Sequence, residues 1–375
     1  MATIESYETS TGAKRYMVRY RTPQQTQTKK RGFKTKRDAQ EFAATVEVKK
    51  MSGEYVAPAA GRVTVGTRGA EWLARQTHFK ASTARTVGVA WRVHVDPRWG
   101  RSRLADVEHS GVQQWVSDMT QRGSGATTVI RAYGVLAAIL DEAVKDRLLA
   151  SNPARGVKLP RKKPKPRAYL TDSQVWQLGA EAGDKGVIVL LLAYTGLRWG
   201  EVAGLHVADV DMLRRRISVH RNAVNVGGRV VVGTPKTHEE RTVVFPRFLV
   251  EPLASACEGK GRDGVVFPNR FGHYATPPGV STWFSGAVAR CMAADDQFPR
   301  VTVHDLRHTA ASLAISAGAN VKVVQRMLGR ASAAMTLDVY ADLFSDDLGA
   351  VADAHDAKRA QNVPTTGLRR PGCAT

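Results

Sequence analysis

The chain has 375 residues, enough for two or three domains, and 55 Lys+Arg against 34 Asp+Glu give it a net charge of +21. A surplus of that size on a chain that is 43% hydrophobic points to a polyanionic partner, because Lys and Arg release counterions condensed on phosphates. A membrane span is excluded by the longest apolar run, Val187 to Tyr194, which is far short of the ~20 residues a spanning helix needs. Cys257, Cys291 and Cys373 are few, scattered and without a CxxC pair, which excludes a disulfide framework or a zinc module. Met1 to Tyr20 shows no charged-then-apolar signal pattern, so a cytoplasmic protein is expected.

Residues 1–57 read as a small α+β module. Tyr16, Val18 and Tyr20 alternate with Met17, Arg19 and Arg21, a strand period with one basic face. A turn at Pro23, Gln24 and Gln25 leads to a second strand through Lys29, Lys30, Arg31 and Phe33. Thr35 and Asp38 have the spacing of a capping box, Ala39, Phe42, Ala43 and Val46 follow on one helix face, and Gly53 can end the helix. Ten basic residues and no acidic one lie between Lys14 and Arg37. A two- or three-stranded sheet backed by a helix, with Arg15, Arg19, Arg21, Lys29, Lys30 and Arg31 available to DNA, suits a groove.

Residues 63–153 read as an all-α bundle, with helices near Thr67–Gln76, Ser82–Val95, Ser110–Gln121 and Thr127–Ala150, broken by Pro97 and by Gly123-Ser124-Gly125. The last helix carries an apolar stripe of Ile130, Leu136, Ile139, Leu140, Ala143, Val144 and Leu148, which is core. Residues 154–168 form a linker. Arg155 to Arg167 holds seven basic residues, no acid and three prolines, so it is extended and suited to lie along phosphates, with Arg161, Lys162 and Lys163 at its centre. Residues 169–360 read as a mixed α/β domain. Short strands are expected near Arg216–His220, Val230–Gly233 and Thr242–Phe245, with Val226-Gly227-Gly228 as a hairpin turn between the first two. Residues 361–375 read as a tail.

Gly259 to Gly264 spells GxGxxG, but it precedes a short strand at Val265–Phe267 and opens no helix, and no Walker A run exists. His304-Asp305-Leu306-Arg307-His308 has Asp where a zinc peptidase has Glu, and Arg307 would sit beside the cation. The same run puts His304, Arg307 and His308 on one helix face, a bidentate donor beside proton-transfer groups, as a phosphodiester requires. Thr195-Gly196-Leu197-Arg198-Trp199-Gly200-Glu201 follows the apolar run. Arg198 therefore lies just past a core helix, with Glu201 placed to orient it. Taken singly, the His304–His308 run is what an ordinary surface feature also gives, and Arg198 with Glu201 is what a helix-end salt bridge also gives.

In this order the runs TGLRWGE, HDLRHTAASL and LGRASAAMTLDVYADLF resemble the three boxes of the tyrosine recombinase (phage integrase) family, most closely integrases of actinobacterial phages. The resemblance is close over about 170–350 and looser over the two amino-terminal modules, which would be an arm-binding and a core-binding DNA domain. It implies that Arg198 and Arg307 bind the non-bridging oxygens of a scissile phosphate. His304 would bond there and help deprotonate the nucleophile, Tyr340, while Lys236 protonates the leaving 5′-oxygen; Glu201 and His308 support the site. A 3′-phosphotyrosyl intermediate and a Holliday junction, without metal, ATP or other cofactor, would carry phage integration and excision. Four protomers would assemble on double-stranded attachment-site DNA, with an excisionase and a host DNA-bending protein as partners. One departure stands out: Leu328-Gly329 is followed by Arg330, where the family usually has His or Trp. Arginine can donate to a phosphate oxygen but cannot shuttle a proton, so Arg330 is expected to act as a third guanidinium. The rival readings are a type IB topoisomerase-like nicking-closing enzyme, a non-catalytic DNA-binding or architectural protein, and a metal-dependent nuclease.

Overall fold

The computed structural model describes residues 2–22, 25–51, 55, 62–162, 167–233, 240–329, 332–340, 352–353 and 355–359. The chain divides into two compact units, Met1–Pro164 and Lys165–Thr375, mainly helical with small antiparallel sheets. No helix among the described residues is long and apolar enough to cross a membrane.

The first unit opens with three antiparallel strands in chain order, β1 (Thr3–Glu8), β2 (Lys14–Arg21) and β3 (Gln27–Phe33), backed by helix α1 (Lys36–Met51). The Asp38 amide donates to Thr35 Oγ1 at 3.1 Å and the Thr35 amide to Asp38 Oδ2 at 3.3 Å, so the expected capping box starts the helix. Val18, Tyr20, Ala39 and Val46 are buried between sheet and helix, with Phe33 and Phe42 packed against them. On the opposite face Arg19 pairs across β1 with an ion pair to Glu5 and lies beside Lys29 of β3, while the Arg31 guanidinium covers the Tyr7 ring. Lys30 is exposed but lies on the other face of the strand. It stands opposite Val18, on the helix side of the sheet, with its ammonium 4.4 Å above the Phe42 ring, because side chains alternate across a strand. Gly53, expected to end α1, and Pro23 and Gln24 of the first turn lie outside the described residues.

The bundle comprises α2 (Val65–Ala74), α3 (Ala81–Ala90), α4 (Asp96–Trp99), α5 (His109–Gln121) and α6 (Ala126–Lys145). Pro97 does not break the second helical segment. The chain passes from α3 through a π-turn at Trp91–Val95 into α4, with Pro97 in its first turn. The wider turn accommodates a ring that has no N–H and would collide with the carbonyl one turn back. Along α6 the buried positions are Val129, Ala132, Val135, Leu136, Ala137, Ile139, Leu140 and Ala143, so Val129 takes the place expected for Ile130. Beyond α6 the chain stays fastened to the bundle through Leu159. The Gln113 side chain bonds both the amide and the carbonyl of Lys158, Tyr133 Oη donates to the Ala154 carbonyl, and Val157 and Leu159 join the core. Arg161 and Lys162 are exposed; Lys163 lies outside the described residues.

The second unit begins with α7 (Asp172–Glu181), capped reciprocally by Thr171 and Gln174. It is followed by α8 (Gly186–Thr195), apolar all round and buried at the centre of the core, as such a helix must be. After the short α9 (Trp199–Ala203), strands β4 (Val210–Asp211), β5 (Arg216–Val219) and β8 (Arg241–Val244) form one sheet, while β6 (Asn222–Val226) and β7 (Arg229–Gly233) form a separate hairpin. The Val226-Gly227-Gly228 turn thus joins β6 to β7, not the 216–220 strand to the next; β5 pairs with β8 instead. The strand expected at Val265–Phe267 is reduced to a single bridge between His206 and Val265. Helices α10 (Val250–Cys257), α11 (Trp283–Ala294), α12 (Asp305–Ser316), α13 (Val321–Leu328) and α14 (Ala333–Tyr340) complete the unit. The 361–375 tail lies outside the described residues.

Candidate active site

Helix α8 ends at Gly196 in the left-handed conformation, φ +64°, a conformation glycine adopts without a Cβ penalty. A Cβ there would lie 2.6 Å from a Leu328 methyl. The tight turn hands the chain to Arg198, which precedes α9. Its amide donates to Glu201 Oε2 at 2.8 Å and its Nη1 to Oε1 at 2.9 Å. Glu201 is 3% exposed and also receives both Nη atoms of Arg241, at 2.8 and 2.6 Å. Burial alone would raise this carboxyl, but the Arg241 fork, followed by the amide and charge of Arg198, outweighs it and holds the carboxyl at about 2.

Arg307 stands on the first turn of α12 and is 5% exposed. Its two Nη atoms donate to the carbonyls of Gly196 and Leu328, the last residues of α8's turn and of α13. Helix carbonyls at C-termini lack internal partners, and here two of them hold one guanidinium. Burial, with the charges of Arg198 and Arg241, pushes Arg307 down to about 9, so it is cationic at neutral pH. Arg198, His304 and Arg307 line one cleft of about 240 Å³, with Trp199, Pro278 and Thr302 around them. His304 is the residue just before α12, and its ring lies edge-to-face against His308 with centroids 5.4 Å apart.

Tyr340 ends α14 and is 1% exposed, packed with Ala311, Val324 and Leu328. Its hydroxyl is 2.8 Å from His308 Nδ1. The phenol thus bonds His308, one turn along α12 from the His304 that the family resemblance implies as its base. The end of α14 is held from the linker side, where Arg167 Nη1 donates to the Val339 carbonyl at 2.5 Å. Leu170 is anchored through its amide to Thr309 Oγ1 on α12.

The structure therefore brings Arg198, Glu201, His304, Arg307, His308 and Tyr340 into one region of the second unit. Lys236 and Arg330 lie outside the described residues, on the segments following β7 and Gly329. Sequence reasoning missed Arg241. It sits at the start of a strand behind two glutamates, and nothing in that setting marks it until the sheet brings it to Glu201. Among the described residues no group of three or more His, Cys, Asp or Glu is arranged to hold a metal ion.

The model of the phage integrase family matches residues 169–346. The integrase of Mycobacterium phage D29 is 26% identical over 325 residues, covering 82% of this chain and 84% of the relative. The tyrosine recombinase XerC of Mycobacterium bovis (strain BCG / Pasteur 1173P2) is 30% identical over 253 residues, covering 63% of this chain and 79% of the relative. Among solved structures, the Tn1549 transposon integrase in complex with a circular intermediate DNA superposes with a TM-score of 0.65 at 22% identity, over 74% of this chain and 94% of that one. A lambda integrase dimer bound to a COC′ core site gives 0.57 at 17%, over 89% and 93%. With that extent of likeness on both sequence and fold, the chain belongs to the tyrosine recombinase (phage integrase) family of site-specific DNA recombinases.

Proposed function

We propose that Tyr340 is the nucleophile of a DNA strand exchange that serves phage integration and excision. The observation that carries this reading is the Tyr340 hydroxyl resting on His308 Nδ1 in the region where Arg198, His304 and Arg307 face one cleft. A phenol ordinarily titrates near 10, so attack at neutral pH needs a base at hydrogen-bond distance and positive potential around the developing charge. His308 takes the phenolic proton as the Tyr340 oxygen attacks phosphorus. Arg198 and Arg307 bind the non-bridging oxygens, and His304 donates a hydrogen bond beside them. Fixed guanidiniums stabilise the charge gathered in the pentacoordinate transition state. The bond from phosphorus to the 5′-oxygen breaks, and Lys236 delivers the proton that makes the 5′-hydroxyl.

The 3′-phosphotyrosyl ester keeps the energy of the broken bond. A 5′-hydroxyl from another strand can therefore attack it and regenerate the phenol without ATP. Arg330 adds a third guanidinium. The basic face of β1–β3 (Arg15, Arg19, Arg21, Lys29 and Arg31) engages arm-site DNA, the bundle of 63–153 engages the core site, and Arg161, Lys162 and Lys163, in the linker that follows the bundle, lie along phosphates. Lambda integrase, solved as a dimer bound to a COC′ core site and as a tetramer bound to a Holliday junction, supports four protomers of this chain working on two duplexes, in the cytoplasm of a bacterial host, with an excisionase and a DNA-bending protein assisting.

The test is covalent capture. A pool of nicked duplexes with random core sequence is mixed with the protein in EDTA, and denatured complexes are recovered and sequenced. A protein–DNA adduct with one enriched site, abolished in Tyr340→Phe, is expected. DNA binding without an adduct would favour the non-catalytic reading. Relaxed circles without joined sites would favour the nicking-closing one, and dependence on a divalent cation the nuclease.

A further inference from the structure

The geometry points to Arg241 as a positioning residue of the cleavage step: through the Glu201 carboxylate it keeps the Arg198 guanidinium available to the scissile phosphate. The inference rests on the reading of Arg198 as a phosphate ligand. Arg241 opens β8, opposite Val219 of β5, 40 residues from the carboxylate it meets. Each Glu201 oxygen takes one bond from each arginine: Oε1 from Arg198 Nη1 and Arg241 Nη1, Oε2 from the Arg198 amide and Arg241 Nη2. A buried carboxylate facing a single arginine would draw that guanidinium into a bidentate pair and cancel its charge. With Arg241 supplying the fork, Arg198 spends one Nη on Glu201 and presents the rest of its guanidinium to the cleft.

Arg198, Arg241 and Arg307 against Glu201 leave a surplus of positive charge where a phosphoryl transition state gathers negative charge. Arg241 also touches the other arginine's support. Gly329 ends α13 with φ +57°, and a Cβ on it would lie 2.8 Å from Arg241 Cδ and 2.9 Å from Nε. The arginine therefore lies flat against the turn that follows Leu328, whose carbonyl holds Arg307. A lysine could match the charge of Arg241 but not its two-pronged grip.

The experiment uses the full chain and the duplex recovered by covalent capture, made with either a phosphodiester or a methylphosphonate at the scissile position. The methylphosphonate carries one negative charge fewer, so it makes less demand on Arg198. Arg241→Met is expected to slow single-turnover adduct formation about a hundredfold on the phosphodiester, the loss typical of one transition-state donor, and under about fivefold on the methylphosphonate. Arg241→Lys, which keeps the charge and serves if the Met variant does not fold, is expected to lose about tenfold on the phosphodiester only. Losses that are equal on both substrates, or phosphodiester rates within about twofold of wild type, overturn the inference while leaving Tyr340 as nucleophile. Absence of any wild-type adduct overturns the underlying reading, and the inference with it.

Discussion

Replacing Glu201 by Gln removes the one anion shared by two arginines while preserving its shape. Its carboxyl is lowered from the ordinary 4.5 to about 2, and at about 1.4 kcal/mol per tenfold change in proton affinity the folded state favours the carboxylate by roughly 3 kcal/mol. Glu201→Gln leaves Arg241, 11% exposed at its side chain, without its counterion, a loss of the size found when one partner of a buried ion pair is deleted, about 3–5 kcal/mol. For a unit of this size that corresponds to a fall in midpoint of about 6–12 °C. The sign with pH follows from a depressed carboxyl. The stabilisation is fully present above the unfolded value and is lost as pH falls through the folded one. The difference between wild type and Glu201→Gln, followed by urea unfolding monitored by circular dichroism, should therefore be constant from pH 8 to 5. It should then narrow below about 4.5 and nearly vanish by about 2. A difference under about 1 kcal/mol at pH 7, or one unchanged at the acid end, would refute the reasoning.

Because the phenol bonds His308, His308→Ala is expected to reduce adduct formation by about 10²-fold and to flatten its pH profile. His304→Ala should lower the rate but keep the profile's shape, and the reverse pattern would return the base to His304. Lys29→Ala is expected to weaken binding to duplex DNA and cut the slope of log K against log salt by about 0.9. Lys30→Ala, whose ammonium lies over Phe42, should leave that slope unchanged in the same titration. Gly196→Ala places a Cβ against Leu328 at a positive φ. It should cost about 1–3 kcal/mol in urea unfolding and slow cleavage, since the displaced Gly196 carbonyl no longer steadies Arg307.

The candidate site was legible in the chain because its residues come in local runs. Arg198 and Glu201 are three residues apart, His304, Arg307 and His308 fall within one helical turn, and Tyr340 closes a short helix. Helices built from such runs, the capping box at Thr35 and the all-round apolar α8 all depend on contacts a few residues apart. The periods of helix and strand express those contacts directly. The errors fell where a wider contact or a backbone adjustment decided: Pro97 carried within a helix by a π-turn, and the hairpin placed at β6–β7.

The amino-acid sequence by itself determined the family and most of the candidate residues, since charge, period and motif spacing are properties of a one-dimensional string. Only the tertiary structure decided how those residues are held. Arg241 reaches Glu201 because β8 pairs with β5, Arg307 is fastened by carbonyls from two separate helix ends, and Tyr340 rests on His308 through the packing of α14 near α12 and α13. Each of these contacts joins residues 21 to 111 positions apart. No local preference encodes such a distance; it is set when burial of the apolar cores brings the elements together.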